Sequence, residues 1–252
     1  MTCLRMWGMR RASSHVIKLL ALLAALAYQS WLTAPLLNPE LPTATSFASE
    51  LASTSQAAHW FFRSADVVAG VLVLLVATLL ARSSSPVLRG LPRWVRRFLF
   101  LAATLFAVAT MLDAAFPMPC ADSLTAPEVV ASAHCQTFSL RMHEVASVAV
   151  GCATVGAGFV SLAWFLRLLP APLIGEDGAG FGPERLAFPM WLGILVCVFA
   201  AVHILATAAT VSADLLGWPS GLGWYQRLSI LAAGLWWLAL VAGLTAKRAP
   251  HV

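Results

Sequence analysis

The sequence predicts an all-α, polytopic membrane protein, built as a bundle of six transmembrane helices. Of its 252 residues, 60% are hydrophobic and only 11% are charged, and the mean hydropathy is +0.82. Soluble domains carry about 25% charged residues. Six apolar runs approach the roughly 20 residues that a helix needs to cross the hydrocarbon core, and none alternates like a barrel strand. The runs are Ile17–Leu37, Ala65–Ala81, Phe98–Phe116, Val145–Leu169, Leu186–Ala213 and Leu228–Ala246.

These runs leave no room for a separate soluble domain. We expect an N-terminal tail at 1–16, a transmembrane domain at 17–246 and a C-terminal tail at 247–252. A cleaved signal peptide is the alternative for the first run, because basic residues precede it. The run has about 21 residues, however, and the apolar part of a signal peptide has about 7–15, so we expect a retained first helix.

Basic residues are divided unevenly between alternate polar stretches, which predicts the orientation of the helices. The positive-inside rule places both termini in the cytoplasm and favours a multi-pass protein of the plasma membrane. The pI near 9.3 reflects the same excess, so we expect membrane lipids as partners rather than nucleic acid. Only Arg63, Arg141 and Arg227 of the 16 basic residues lie in the first, third and fifth loops or beside them.

The first loop, residues 38–58, is long and poor in charge. We expect a short amphipathic segment there, lying over the outer ends of the bundle. Ser49 is the residue that we expect to cap it through its hydroxyl.

Two cysteines, Cys120 and Cys135, flank the third loop on the predicted outer side. Disulfides persist in such compartments, and closing a loop of about 15 residues could stabilise the fold by roughly 3 kcal/mol. A pair of free thiols is the alternative, and we predict the disulfide. Cys152 and Cys197 lie within apolar runs and are typical of small core residues.

Polar residues recur at helical spacing near the predicted outer helix ends. His59, Arg63 and Asp66 stand at i, i+4 and i+7, so they share one helix face. The outer ends of the other helices carry polar residues at the same depth. We expect one set to converge in the outer third of the bundle, namely His59, Arg63, Asp66, Asp113, His143, His203 and Arg227.

Two interpretations of this set remain open. A charge inside the bilayer costs at least ~2.5–3.5 kcal/mol unless it is paired or solvated, so Asp66 and Asp113 should pair with Arg63 or Arg227. The structural interpretation is a set of ion pairs that join the helix ends. The functional one is an outward-facing polar pocket that binds or handles a lipid head group or a small polar ligand.

Two other functions use the same residues. A metal-assisted lipid hydrolase would hold its metal on His59, His143 and His203, with Asp66 or Asp113 as the base. A proton-coupled transporter would use the two aspartates and His203 as a relay. No cofactor is predicted, because nucleotide-binding and nucleophile motifs are absent from the sequence and nothing around the histidines identifies a haem site. No catalytic residue can be assigned.

Short motifs at the helix ends carry a family resemblance. They are Ser49-Glu50-Leu51 before the second helix, Asp113 with Phe116-Pro117 at the end of the third, His143 at the start of the fourth, and Gly223 with Gln226-Arg227 at the start of the sixth. The chain resembles bacterial six-helix membrane proteins of the domain-of-unknown-function 998 family, and in outline the Frag1/DRAM/Sfk1 membrane proteins. The Cys120–Cys135 loop and the high tryptophan content depart from the pattern. The resemblance implies the six-helix fold and adds Glu50 to the expected ligand-binding residues, but it implies no activity.

Overall fold

The computed structural model describes residues 13–166, 188–218 and 220–246, and these ranges fold into helices without strands. Five helices are long and apolar enough to cross a membrane, and a bent first span brings the number to six. The predicted fold class is therefore confirmed. The long helices are α1 (Ser14–Tyr28), α2 (His59–Arg82), α3 (Arg93–Ala115), α4 (Phe138–Leu166), α5 (Met190–Leu215) and α6 (Leu222–Leu244).

The first span bends by 49° after Tyr28, where a 3-10 turn at Ser30–Thr33 and a short helix at Ala34–Leu37 replace regular α-helix. Gln29 stabilises this break. Its amide nitrogen donates to the carbonyl of Ile230 in α6 over 3.0 Å, and its amide oxygen accepts from the Trp31 indole over 2.9 Å. The polar side chain is thus satisfied within the protein, as the membrane interior requires.

Several helices begin well before their apolar runs. The second begins at His59, the fourth at Phe138 and the sixth at Leu222. Polar residues that flank the apolar runs are therefore helical, and their side chains have fixed directions. The predicted end of the fourth run at 167–169, the start of the fifth at 186–187, the C-terminal tail and nearly all of the N-terminal tail lie outside the described residues.

The six helices form a closed ring in chain order, in which each packs on the next and α6 returns to α1. Small residues permit the close approach. A Cβ atom at Gly70 of α2 would lie 2.8 Å from the Ala107 carbonyl oxygen of α3, and one at Gly158 of α4 would touch Ile204 of α5. The ring encloses an apolar core that includes Val76, Val196 and Trp236.

The ring has two unlike ends. The basic end comprises the start of α1, the junction at 82–97 and the end of α6. The disulfide end comprises the opposite helix ends and a cap formed by residues 38–58 and 116–137. The cap has its own apolar cluster, formed by Ala34, Leu41, Leu51, Ala52, Phe62 and Ala121.

The short segment expected in the first loop is a 3-10 helix at Ala48–Ala52. The predicted cap at Ser49 is wrong. The carboxylate of Glu50 accepts the N–H of Phe47 over 2.8 Å and performs that role. A carboxylate one turn into the helix reaches back to the free N–H more readily than the hydroxyl of Ser49 reaches forward.

Candidate functional site

Arg227, at the start of α6, fastens the cap to the bundle. Its guanidinium donates to the carbonyl oxygens of Thr43 at 2.8 Å, Ser46 at 2.7 Å and Gly223 at 3.1 Å, and to the Ser46 hydroxyl at 3.3 Å. Only 1% of the residue is exposed. The two terminal nitrogens of Arg227 therefore bond to the cap and to α6, and burial keeps the side chain from a head group in the membrane.

Gly223 makes this contact possible. A Cβ at Gly223 would clash with the carbonyl oxygens of Thr43 and Ser46 and approach the Arg227 guanidinium to 2.7 Å. The N–H of Gly223 also donates to the Ala44 carbonyl over 2.9 Å. The cap thus lies directly on the first turn of α6, and only glycine leaves it room.

Glu50 joins the two halves of the cap. One carboxylate oxygen caps the 3-10 helix, and the other accepts the backbone N–H and the hydroxyl of Ser123, at 2.9 and 2.6 Å. Its side chain is buried, and its charge attracts that of Arg227. Burial, followed by the charges of Glu50 and Glu144, raises the pKa of the neighbouring Asp122.

The predicted disulfide between Cys120 and Cys135 is present, with Cα atoms 5.6 Å apart. It closes the part of the cap between α3 and α4. Ser123, the partner of Glu50, lies within this closed loop. The bridge, Glu50 and Arg227 therefore stabilise one continuous structure over the disulfide end.

A second polar group lies below the cap, between α3 and α4. The Asp113 carboxylate accepts the Ser147 hydroxyl over 2.7 Å and lies 3.2 Å from Nδ1 of His143. The His143 side chain is 5% exposed and that of Asp113 16%. A close contact between a carboxyl group and an imidazole thus lies near the disulfide end, where α3 and α4 meet.

Asp66 of α2 lies beside this pair. On α2 it is flanked by Arg63, which contacts Ala114, and by Gly70, which contacts Ala107 and Met111. Since α2 and α3 run antiparallel, these contacts place Asp66 opposite the turn that carries Asp113. The two carboxyl groups are near enough for their charges to repel each other, and Tyr28 of α1 lies near both. We call Asp66, Asp113, His143 and Ser147 the acidic cluster.

The predicted pairing of these aspartates with arginine is wrong. Arg63 donates its Nε–H to the Ala114 carbonyl over 2.8 Å, and its guanidinium stacks on Trp60 at 4.5 Å. Within the described ranges, the one close contact between a carboxylate and a basic side chain is that of Asp113 with His143. Helix ends offer free carbonyl oxygens that attract guanidinium groups, and those carbonyls compete with the carboxylates.

Two of the predicted histidines lie apart from the acidic cluster. His59 bonds through Nδ1 to the Gln56 carbonyl at the start of α2, over 2.6 Å. His203 of α5 contacts the carbonyl and hydroxyl of Ser229 in α6, at 3.1 and 2.9 Å. No trio of His, Cys, Asp or Glu side chains in the described part of the chain is placed to hold a metal ion. The histidine set of the hydrolase hypothesis is not brought together.

The eight expected ligand-binding residues therefore fall into separate groups. Asp66, Asp113 and His143 converge, with Arg63 at their edge. Glu50 and Arg227 both bond to the cap segment at 43–47. Tyr28 was not among the predicted residues, although a tyrosine within an apolar run is a usable signal. Ser123 was not among them either, and no spacing identifies it.

Comparison with known proteins identifies a family. The family model described as "Protein of unknown function (DUF998)" matches residues 20–243. Searches of the curated proteins and of the solved structures found no significant match. The matched range contains all six long helices except the first turns of α1 and the last residue of α6, and it contains every residue of the cap and the acidic cluster. The chain belongs to the DUF998 family.

Proposed function

We propose that this membrane protein binds a lipid head group at the acidic cluster. The observation that carries the proposal is the placement of two carboxyl groups side by side, Asp66 on α2 and Asp113 on α3, of which only Asp113 contacts a histidine, His143. Neighbouring buried carboxyl groups are neutralised either by a proton or by a cation, so an ammonium ion can take the place of the proton here. The complementary ligand is a head group with an ammonium ion, such as ethanolamine.

The surroundings favour a lipid over a soluble ligand. Asp66 is half-buried, and the next residues on α2, Val67 and Val68, are 40% and 48% exposed. Exposed apolar side chains on a transmembrane helix face acyl chains. A head group at the acidic cluster can therefore keep its chains in the bilayer, while the cap covers the approach along the bundle axis.

We also propose that the basic end faces the cytoplasm. Two independent features support this orientation. Basic residues gather at one end of the ring, as they do in cytoplasmic loops, and the disulfide lies at the other, as expected for an oxidising compartment. The acidic cluster then binds lipids of the outer leaflet.

Native mass spectrometry of the full chain in mixed lipid nanodiscs tests the head-group proposal. We expect phosphatidylethanolamine to be retained over diacylglycerol of the same chain length, which has no charged head group. The double variant Asp66→Asn/Asp113→Asn should lose that preference, because it removes both charges and keeps the side-chain shapes.

The matched control is Asp214→Asn, which removes an exposed carboxylate at the same end of the bundle. It should retain the wild-type preference. Equal retention of both lipid classes by the wild type, or a preference that survives the double variant, would refute the proposal. Loss of the preference in both variants would show that the preference depends on net charge, and it would also refute the proposal.

A further inference from the structure

A cavity distinct from the acidic cluster runs inside the ring of helices. Its wall comes from α1, α2, α3, α4 and α6, and from the junction at the basic end. Much of the wall is alanine or glycine, including Ala77, Ala103, Ala157 and Gly234. These small residues leave open space where larger side chains would meet. The cavity surface is almost entirely apolar.

The few polar groups on this wall are unevenly placed. Arg96 lies at the basic end, beside Leu88 and Leu91. It is half-buried, and among the described residues its guanidinium makes one hydrogen bond, a long contact of 3.5 Å to the Leu88 carbonyl. Farther in, the indole N–H groups of Trp236 and Trp237 are buried and meet no acceptor within the described part of the chain. Within that part, a cation without a carboxylate partner thus lies at one end of the cavity, and indole donors lie deeper in its wall.

The length of the cavity matches one leaflet of a bilayer. On α3 the lining extends from Arg96 to Phe106, whose ring packs edge-on against Tyr28 at 5.1 Å. Ten residues of helix rise by about 15 Å. Half of a hydrocarbon core of about 30 Å is the same length.

We infer that this cavity holds one acyl chain of an anionic amphiphile, whose carboxylate or phosphate binds Arg96. The acyl chain contacts the apolar wall, and the head group supplies a counter-charge that none of the described residues gives to Arg96. A phospholipid also brings ester carbonyls as acceptors for the indole donors. This site is independent of the acidic cluster, since it takes the opposite charge at the opposite end of the bundle.

Native mass spectrometry of the detergent-purified full chain, titrated with single lipids, tests the inference. Palmitate and dipalmitoyl phosphatidylglycerol represent the two sources of an anionic head group, and dipalmitoyl phosphatidylcholine is the neutral comparison. We expect saturable binding of one molecule of an anionic lipid. Tighter binding of palmitate would identify a fatty acid as the occupant, and tighter binding of the glycerol lipid a phospholipid.

Arg96→Gln tests the head-group contact. A hydrogen bond to a charged group is worth about 1.5–3 kcal/mol, so the variant should weaken anionic binding by about tenfold or more. The control Arg97→Gln makes the same change at an exposed neighbour that lies on a separate surface groove with Arg93 and Trp94. It should change binding less than about twofold, within the usual effect of an exposed charge.

Ala77→Leu tests the chain site, because it adds three carbons inside the cavity wall. The control Ala81→Leu makes the same change on the exposed face of α2. Occupancy should fall in the first variant and persist in the second. If Ala77→Leu does not fold, Ala233→Leu places the same extra volume on α6.

Three results would overturn the inference. The first is a wild type that binds neither anionic lipid saturably. The second is equal binding of the neutral lipid. The third is binding that the variants at Arg96 and in the cavity wall leave unchanged. A loss of ethanolamine preference in the aspartate variant, with cavity binding intact, concerns the acidic cluster alone.

Discussion

The contact of Arg227 with the cap permits a quantitative prediction. Arg227→Ala removes a buried guanidinium that donates to three backbone carbonyls, of Thr43, Ser46 and Gly223. Each hydrogen bond to a charged group contributes about 1.5–3 kcal/mol. Because loop carbonyls can turn to water once the cap loosens, the full sum is an upper bound. We expect a loss of about 3–5 kcal/mol, the usual cost of breaking a buried charged contact.

Thermal unfolding of the purified protein in detergent measures this loss. For a chain of this size, 1 kcal/mol corresponds to about 2–4 °C in Tm, so Arg227→Ala should lower Tm by roughly 6–20 °C. The Tm of Arg227→Lys should lie between those of Arg227→Ala and the wild type, since the ammonium keeps the charge but not the planar array of donors. Limited proteolysis should show faster cleavage within residues 38–58.

Arg141→Ala is the control, since it removes an exposed arginine at the same end of the bundle. Its Tm should stay within about 2 °C of the wild type, as surface changes usually do. The contrary result is an Arg227→Ala variant with the same Tm as Arg141→Ala and a cap that is cleaved no faster than in the wild type. It would show that the guanidinium contacts do not stabilise the cap.

Four further predictions concern the cap and the orientation. Gly223→Ala should lower Tm markedly, because its Cβ would meet two carbonyl oxygens, and a Tm equal to that of the wild type would contradict the close packing of cap and α6. Replacing Cys120 and Cys135 with serine should cost about 3 kcal/mol in the chain-entropy model, with unchanged unfolding as the contrary result. A cysteine placed at Arg93 should react with membrane-impermeant reagents only from the cytoplasmic side, and labelling from outside would reverse the topology. Since burial raises the pKa of Asp122, its charge opposes folding. Stability should therefore fall as pH rises through that pKa, and Asp122→Asn should remove this fall, whereas an unchanged pH profile would show that the carboxyl does not contribute.

The sequence predicted those features that depend on local or one-dimensional properties. Helix number follows from the length of apolar runs, and the disulfide follows from two cysteines on one loop. Helix direction and depth predicted that seven polar residues would converge, and of these the structure brings Asp113 and His143 into contact.

Other contacts have no signature in the sequence. Arg227 binds main-chain carbonyls, which every residue carries, so nothing marks Thr43 or Ser46 as its partners. The depth of a residue along its helix also does not determine how that helix is rotated about its axis. His203 and His59 lie near the same end, but their helix faces direct them to Ser229 and Gln56 instead. The central cavity arises from small residues on five helices, and small residues alone equally predict tight packing.

The cap determines how any occupant of the bundle is exchanged. Its residues Glu50, Leu51 and Ser53 are almost fully buried, and the disulfide and Arg227 hold the cap on the bundle. A molecule inside the ring therefore does not exchange with solvent through the disulfide end. It must travel within the plane of the bilayer and pass between helices, or enter at the basic end. Its rate of uptake should then follow its mole fraction in the membrane rather than its concentration in water.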